Sequence, residues 1–390
     1  MRQITVQNLQ DAVAGQLTGL DINEVQDLFG CFERAVSTLI QKADVPEASG
    51  RQSIFLYDGV FNYTPDPTIF GGALIDLRPQ GINRDYEDTV SKTFIERFDR
   101  TKCRVPFGYL VTLEYSQGIP ILRVGQAKAQ QRIIIDSMSA VGNWVASGAA
   151  STLLLDTTVY YQQPAALRFN LASSGSQGIL TETLTHGGDL TTYQGVGVVF
   201  LALMIPSLDL TSITLQLGSD QSNYYQVTAT KGFNGSFVAQ DYQLVAFDLS
   251  TATTVGSPVI TNMDYVQLLF NYDGVAMNNV RMGGLWISLP SPHELLFYSA
   301  AIFKNGTSAP SVTITSTDDV ILLSDPAYNL YVREAARAVA LQNGGTAGSG
   351  LIAAIDLELE GNGSTKVGLY QQFRGDNPSE ELRTVGNWYY

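Results

Sequence analysis

Val196-Gly197-Val198-Val199-Phe200-Leu201-Ala202-Leu203-Met204-Ile205 is the longest apolar candidate for a membrane span, and it decides the fold. It is only about half the roughly 18 to 20 residues that a membrane-crossing helix needs, and Gly197 stands inside it. It therefore reads as a buried strand. Outward from it, short apolar segments recur with polar turns between them, at Ser151–Leu155, Ala166–Leu171, Gly178–Leu184, Gly195–Leu203, Ser212–Leu217, Tyr224–Ala229, Tyr242–Asp248, Tyr265–Asn271 and Val280–Leu289. Charged residues nearly vanish between about residues 131 and 290, and no helix of useful length competes there. Such a succession of short strands predicts an antiparallel β-sandwich of jelly-roll type.

The flanks read differently. Leu9, Val13 and Leu17 sit at four-residue spacing, as on one face of a short helix. Asp21 three residues before Glu24 looks like an N-cap with its reciprocal acid, opening a helix whose stripe is Val25, Leu28, Phe29, Phe32, Val36, Leu39 and Ile40. Ile54–Tyr57 and Val60–Tyr63 around Asp58-Gly59 give a hairpin signal. Further strands are expected at Ala73–Leu77, Tyr109–Tyr115, Ile119–Val124, Glu294–Phe303 and Ser311–Thr315. The charged stretch 83–104 reads as a solvated loop or arm. Asp325-Pro326 opens a second helix, with Leu330, Tyr331, Ala335, Ala338 and Val339 on one face and Asn343-Gly344-Gly345 at its end. Residues 351–374 read as helical, interrupted by Gly361-Asn362-Gly363-Ser364. The expected fold is therefore α+β and multidomain. A discontinuous domain of helices (a helical bundle) and small β elements spans 1–130 and 291–390, and the sandwich, 131–290, is inserted into it.

The composition narrows the function. A chain of 390 residues is long enough for two or three cores. Only 15% of its residues are charged, against about 25% in an ordinary soluble domain, so its surface is largely Ser, Thr, Asn, Gln, Gly and Tyr. The net charge is −14, and no Lys/Arg stripe that could track a phosphate backbone is present. Met1-Arg2-Gln3-Ile4-Thr5 lacks the apolar centre of a signal peptide. Cys31 and Cys103 have no C-x-x-C spacing, and Cys31 falls on the apolar face of a helix, as a small buried hydrophobe does.

Groups placed for catalysis are scarce. His186 and His293 have neither metal-motif spacing nor triad neighbours. No nucleophile elbow, phosphate loop or dinucleotide fingerprint appears. Asp156, Glu182, Asp189, Asp220, Asp248, Asp264 and Asp273 are the carboxylates from which a glycosidase pair would be drawn, but most fall at strand ends, where Asp caps local backbone. The same side chains with backbone carbonyls are donors suited to a structural Ca²⁺, yet no D-x-D-x-D-G loop is present, so no cofactor is expected. Glycan binding fits better than hydrolysis: Tyr160, Tyr161, Tyr224 and Tyr225, with the amides beside them, offer rings and hydrogen bonds to sugars. The competing explanation is that these tyrosines fill the sandwich interior.

Several motifs carry resemblances. Trp144-Val145-Ala146-Ser147-Gly148, Leu155-Asp156, Ala166-Leu167-Arg168-Phe169-Asn170-Leu171 and Val266–Tyr272 before Val280-Arg281-Met282 resemble the carbohydrate-binding-module type of jelly roll in phage virion proteins. In the flanks, Phe297-Tyr298, then Asp318–Leu323, then Asp325-Pro326-Ala327-Tyr328-Asn329-Leu330-Tyr331 through Ala335-Ala336, is similar to the C-terminal part of tailed-phage head-to-tail adaptor proteins. The N-terminal helix followed by Leu56-Tyr57-Asp58-Gly59-Val60-Phe61-Asn62-Tyr63 looks like their opening. The large insertion and the long Gly-interrupted tail depart from that pattern.

The resemblance implies a non-enzymatic virion protein, assembled in the host cytoplasm: a subunit of a homo-oligomeric neck ring, commonly a dodecamer. It would contact the portal protein above and a stopper, tail tube or nozzle protein below. DNA would pass without specific binding, no membrane would be involved, and the jelly roll would face outward. Leu330, Tyr331, Ala335, Ala338, Trp388 and Tyr389 are the expected subunit-interface residues. The alternative is a tail, baseplate or collar protein whose sandwich binds host-surface glycans.

Overall fold

The computed structural model describes residues 4–43, 45, 47–79, 92–94, 109–116, 119–126, 132–151, 153–161, 164–343, 346–362 and 367–376. The chain divides into two compact units: Met1–Ser53 with Pro65–Arg78 and Glu294–Tyr390, and Ile54–Thr64 with Pro79–His293. The segment Ile54–Thr64, expected with the chain ends, thus belongs with the sandwich.

The sandwich strands are β1 (Arg132–Asp136), β2 (Val145–Gly148), β3 (Leu154–Asp156), β4 (Ala166–Leu171), β5 (Gln177–Gly188), β6 (Val198–Met204), β7 (Leu210–Asp220), β8 (Asn223–Ala229), β9 (Tyr242–Asp248), β10 (Thr253–Val255), β11 (Met263–Tyr272) and β12 (Met277–Ser288). One sheet runs β3-β4-β12-β6-β9, with β1 also paired to β12, and the other runs β10-β8-β7-β11-β5-β2. Pairing is nested: β7 with β8, β6 with β9, β5 with β11 and β4 with β12, all antiparallel and alternating between the sheets. The chain is therefore one long antiparallel ribbon wound across two sheets, which is the jelly-roll topology.

Alternate residues of each strand enter the core: Leu167, Phe169 and Leu171; Val199, Leu201 and Leu203; Ile213, Leu215 and Leu217; Val266, Leu268 and Phe270, all buried. The apolar run on β6 has a second cause. Its outward residues Phe200 and Ala202 are also buried. Over Phe200 lie the rings of Tyr57, Phe233 and Trp286, at centroid distances of 5.0, 5.4 and 5.8 Å. Strand β6 is continuous in apolar residues because both of its faces are covered.

The Asp58-Gly59 turn exists, but the expected hairpin does not. Val60 N–H closes the turn on the Tyr57 carbonyl, and Gly59 sits at φ +82°, while Asn62–Tyr63 pairs with Ile119–Gln126. The turn is instead pinned to the jelly roll. Asp58 N–H donates to Ser288 Oγ (2.9 Å), Trp286 Nε1 donates to the Asp58 carbonyl (3.1 Å), and Arg132 lies 3.7 Å from the Asp58 carboxylate.

The other unit contains α1 (Val6–Ala14), α2 (Leu28–Ala43), α3 (Asp325–Asn343), α4 (Thr346–Glu360) and α5 (Leu369–Asp376). Thr5 and Asn8 make a reciprocal cap on α1. The Asp21 cap serves a short 3-10 turn, Ile22–Glu24, rather than the long helix. Helix α2 begins at Leu28, after Asp27 has accepted the Gly30 N–H at 3.1 Å. The glycine-containing stretch after 360 separates α4 from α5, as its sequence predicts. The strand read at Glu294–Phe303 runs Ser291–Ser299, and Ser311 makes only an isolated bridge to Phe303. Phe32, Val36, Leu39, Leu330, Tyr331, Ala335 and Val339 share one core with residues of α1, α4 and α5. No helix among the described residues is long and apolar enough to cross a membrane, which says nothing of a β-barrel.

Candidate functional site

The outward side of the second sheet is built in rows by its register. One row is Thr253, Gln226, Gln216, Gln267 and Thr181 across β10, β8, β7, β11 and β5. The next is Tyr224, Gly218, Tyr265 and Thr183, and on the other side lie Thr228, Thr214, Leu269 and Ile179. Ser212, Asn271 and Gln177 make a fourth. Among the described residues these four rows carry no charged side chain.

The polar groups are held in place by one another. Gln216 Nε2 donates to Gln226 Oε1 (3.0 Å), and Gln267 Nε2 donates to the Thr181 hydroxyl (2.8 Å). The Thr214 and Thr228 hydroxyls are 2.8 Å apart. Gln177 Nε2 donates to Asn271 Oδ1 (2.8 Å), and Asn271 Nδ2 to Ser212 Oγ (3.0 Å). Each amide thus has a fixed orientation, with hydrogen-bonding capacity beyond these contacts. Gly218 separates the Tyr224 and Tyr265 rings, whose centroids are 6.3 Å apart at an interplanar angle of 38°. A Cβ at Gly218 would stand 2.5 Å from Tyr224 Cα, so that position has no room for a side chain. Burial, and then the neighbouring Tyr224, push the Tyr265 hydroxyl up, which keeps it protonated. The middle of the face is sunk: Gln216 is 9% exposed and Thr214 8%, while Thr228, Thr183, Gln177 and Thr253 at its margins are open to solvent. Fixed amides, hydroxyls and tyrosine rings without charge suit a ligand made of hydroxyl groups and apolar ring faces.

No family model matches the chain, and no curated protein does. Among solved structures it is similar to the family 30 carbohydrate-binding module of a cellulosomal cellulase of Clostridium thermocellum, at 18% identity over 40% of this chain and 97% of that one, TM-score 0.32. A structure described for the promiscuous specificity of carbohydrate-binding modules of the β-sandwich superfamily is 13% identical over 62% of this chain and 99% of that one, TM-score 0.30. The enzymatically active domain of tailspike protein 4 of bacteriophage CBA120 is 12% identical over 39% of this chain and 20% of that one, TM-score 0.26. At these scores the likenesses fix neither ligand nor role.

The four tyrosines singled out by sequence do not form one site. Tyr224 lies on the amide face beside Tyr265. Tyr225 is opposite Leu217 and packs toward the core, its hydroxyl accepting from Gln194 at 3.2 Å. Tyr161 lies in the loop between β3 and β4 and packs on the first sheet, with centroids 5.6 Å from Tyr242 and 6.4 Å from Trp286, and Tyr160 is half-buried beside it in sequence. The sequence reading reached Tyr224 and Gln226 but missed Tyr265 and Gln267, although Tyr265-Val266-Gln267 likewise puts Tyr and Gln two apart, on one side of a strand.

The carboxylates behave mainly as turn caps. Asp156, Asp189, Asp220, Asp248 and Asp273 each accept a backbone N–H two residues on. Asp156 also takes the Arg281 guanidinium at 2.9 Å. Asp264 instead accepts from Asn262 Nδ2 at 2.5 Å, and Glu182 faces Asp136 from the inner side of β5. Among the described residues no three His, Cys, Asp or Glu side chains cluster as metal ligands. His293 is buried, its Nδ1 at 3.0 Å from the Ser291 carbonyl, and burial pushes its pKa down. The side chain of His186, and Cys103, Trp388 and Tyr389, lie outside the described residues.

The expected interface residues of α3 need correction. Leu330, Tyr331 and Ala335 are buried within the unit's own core, and Ala338 packs against it half-buried. The small-residue face joins helices of one chain, because Ala335 and Ala336 let α2 and α3 approach closely. It leaves little surface for a neighbouring subunit.

Proposed function

We propose that the jelly roll binds a neutral glycan along the outward rows of its second sheet, in a chain that is a structural protein rather than an enzyme. The observation that carries this reading is the absence of charge from rows otherwise filled with oriented amides, hydroxyls and two tyrosines. A sugar polymer presents equatorial hydroxyls to Gln216, Gln226 and Gln267 and a C–H face to Tyr224 and Tyr265. A uronate or sulphated glycan finds no cation there. This is the role given above as the alternative, a host-glycan-binding virion component.

Isothermal titration of the full chain with a panel of neutral and uronate polysaccharides tests it. Binding to at least one neutral polymer is expected, weakly dependent on salt, with a loss of about tenfold or more in Tyr224→Ala or in Gln216→Ala/Gln267→Ala. Failure of every neutral polymer, or wild-type affinity in the double variant, overturns the reading.

The head-to-tail adaptor role is a second reading for the helical unit. It is favoured by Leu341 and Leu357, which stand 53% and 45% exposed on α3 and α4, where a second copy, a portal protein or a tail component would cover them. Native mass measurement tests it. A ring that dissociates on Leu341→Glu/Leu357→Glu supports the role, and a monomer at high concentration removes it.

A further inference from the structure

From strand β1 of the first sheet the chain crosses to β2 in the second, and the crossing, Ser137–Trp144, is tied down by carboxylates. Asp136 Oδ1 accepts the Met138 N–H at 2.6 Å, and Oδ2 accepts the Trp144 indole N–H at 2.8 Å. Across from them, Glu182 hydrogen-bonds to Asp136 from β5. Its side chain is 6% exposed, and its Oε2 has no hydrogen-bond partner among the described residues. We propose that Glu182 and Asp136 form a latch closed by a shared proton, which holds the Ser137–Trp144 crossing against the sandwich and releases it when that proton is lost.

Among the described residues the surroundings supply no cation to bridge the two groups. Asp136 is the charged neighbour from β1. Strand β11 presents Val266 at the position opposite Glu182, and the crossing presents the Trp144 indole and the Gly142 backbone, whose Cβ position is 3.5 Å from Oε1. Among the described residues no lysine, arginine or histidine contributes to the environment of Glu182. Glu182 is buried while Asp136 is half-exposed, and a buried carboxyl set against a second carboxylate is not ionised cheaply, so Glu182 keeps its proton and donates it to Asp136. Burial first, then the hydrogen bond and charge of Asp136, push Glu182 up to about 8.

Removal of the proton converts a donor–acceptor pair into two facing anions. Asp136 is then driven from the Trp144 indole. The crossing holds two residues in left-handed backbone, Met138 at φ 57° and Gly142 at φ 56°. Met138 has a side chain that disfavours this conformation, so the crossing relaxes once its anchors go. Strand β2 follows Trp144 and is the edge strand paired to β5, so the opening propagates to that edge.

The test is fluorine NMR of the full chain labelled with 5-fluorotryptophan, with Trp144 assigned by Trp144→Phe, titrated from about pH 6 to about pH 10. The Trp144 resonance should shift in a single transition centred near 8, while Trp286 stays still. Glu182→Gln, which keeps the shape and cannot ionise, should hold Trp144 at its low-pH position throughout. Should that variant fail to fold, Asp136→Asn serves: a lone Glu182 titrates lower, and the transition moves down. An unmoving wild-type resonance, or an unchanged transition in Glu182→Gln, overturns the latch. So does a Trp144 shift on adding excess Ca²⁺ at neutral pH, which would make the pair a cation site.

Discussion

The Tyr63 hydroxyl accepts the backbone N–H of Tyr57 at 2.9 Å and lies 3.2 Å from the Val60 carbonyl, so a side chain closes the Asp58-Gly59 turn from inside. That bond does the work a cross-strand ladder would do in a hairpin. Tyr63→Phe keeps the ring against Phe233 but removes the buried hydrogen bond from the Tyr57 N–H. A loss of about 1–3 kcal/mol in the stability of the sandwich unit is expected. Urea unfolding followed by tryptophan fluorescence checks it, because Trp144 and Trp286 both lie in that unit. Unchanged stability would mean the turn is held by its backbone alone.

Gly59→Ala should act on the same turn by a different route. A Cβ there would stand 2.6 Å from Arg132 Nη1 and 3.0 Å from Trp286 Nε1, on a backbone already at φ +82°. Strain and collision together predict a larger loss than Tyr63→Phe, with a thermal midpoint lower by several degrees. Equal midpoints for Gly59→Ala and the wild type would show that the turn is not pressed on β12.

These two residues also mark where the sequence stops being legible. The Asp-Gly pair reports a turn faithfully, since only backbone geometry is at stake. It cannot report that Asn62–Tyr63 pairs with Ile119–Gln126, because pairing is a long-range choice. The jelly-roll strands were readable for the opposite reason: alternation along β4, β7 and β11 follows directly from one buried face. Helix α3 was readable from Asp325-Pro326, a local cap, yet the role of its small face was not, since Ala335 serves a neighbouring helix and a neighbouring subunit equally well. Glu182 and Asp136, far apart in sequence, meet only through the fold. Neither residue type nor spacing announces such a pair.

Tyr331 offers a probe of the helical unit. Its hydroxyl donates to the Phe32 carbonyl at 2.9 Å and joins α3 to α2, in a core where burial pushes the phenol far up. Tyr331→Phe removes one buried hydrogen bond and should cost about 1 kcal/mol, whereas Tyr331→Ala opens a cavity and should cost about 3–5 kcal/mol. Circular dichroism at helical wavelengths separates them. A null result for Tyr331→Ala would contradict the buried position of the ring.

The jelly roll should be most stable between two carboxyl titrations of opposite sign. Asp156 is held well below the usual range: burial opposes this, but the Thr158 hydroxyl and amide and the Arg281 guanidinium outweigh it. A depressed carboxyl contributes stability that is present above its unfolded value and lost as pH falls through its folded one. Glu182 is raised to about 8, so the folded chain binds the extra proton. Its contribution is complete below its unfolded value near 4.5 and is lost as pH rises through about 8. The urea midpoint of the sandwich should therefore fall at both ends of the pH range. Asp156→Asn should flatten the acid limb alone and Glu182→Gln the alkaline limb alone. A Glu182→Gln protein whose alkaline limb matches the wild type would assign that limb to another group and leave Glu182 without a proton to lose.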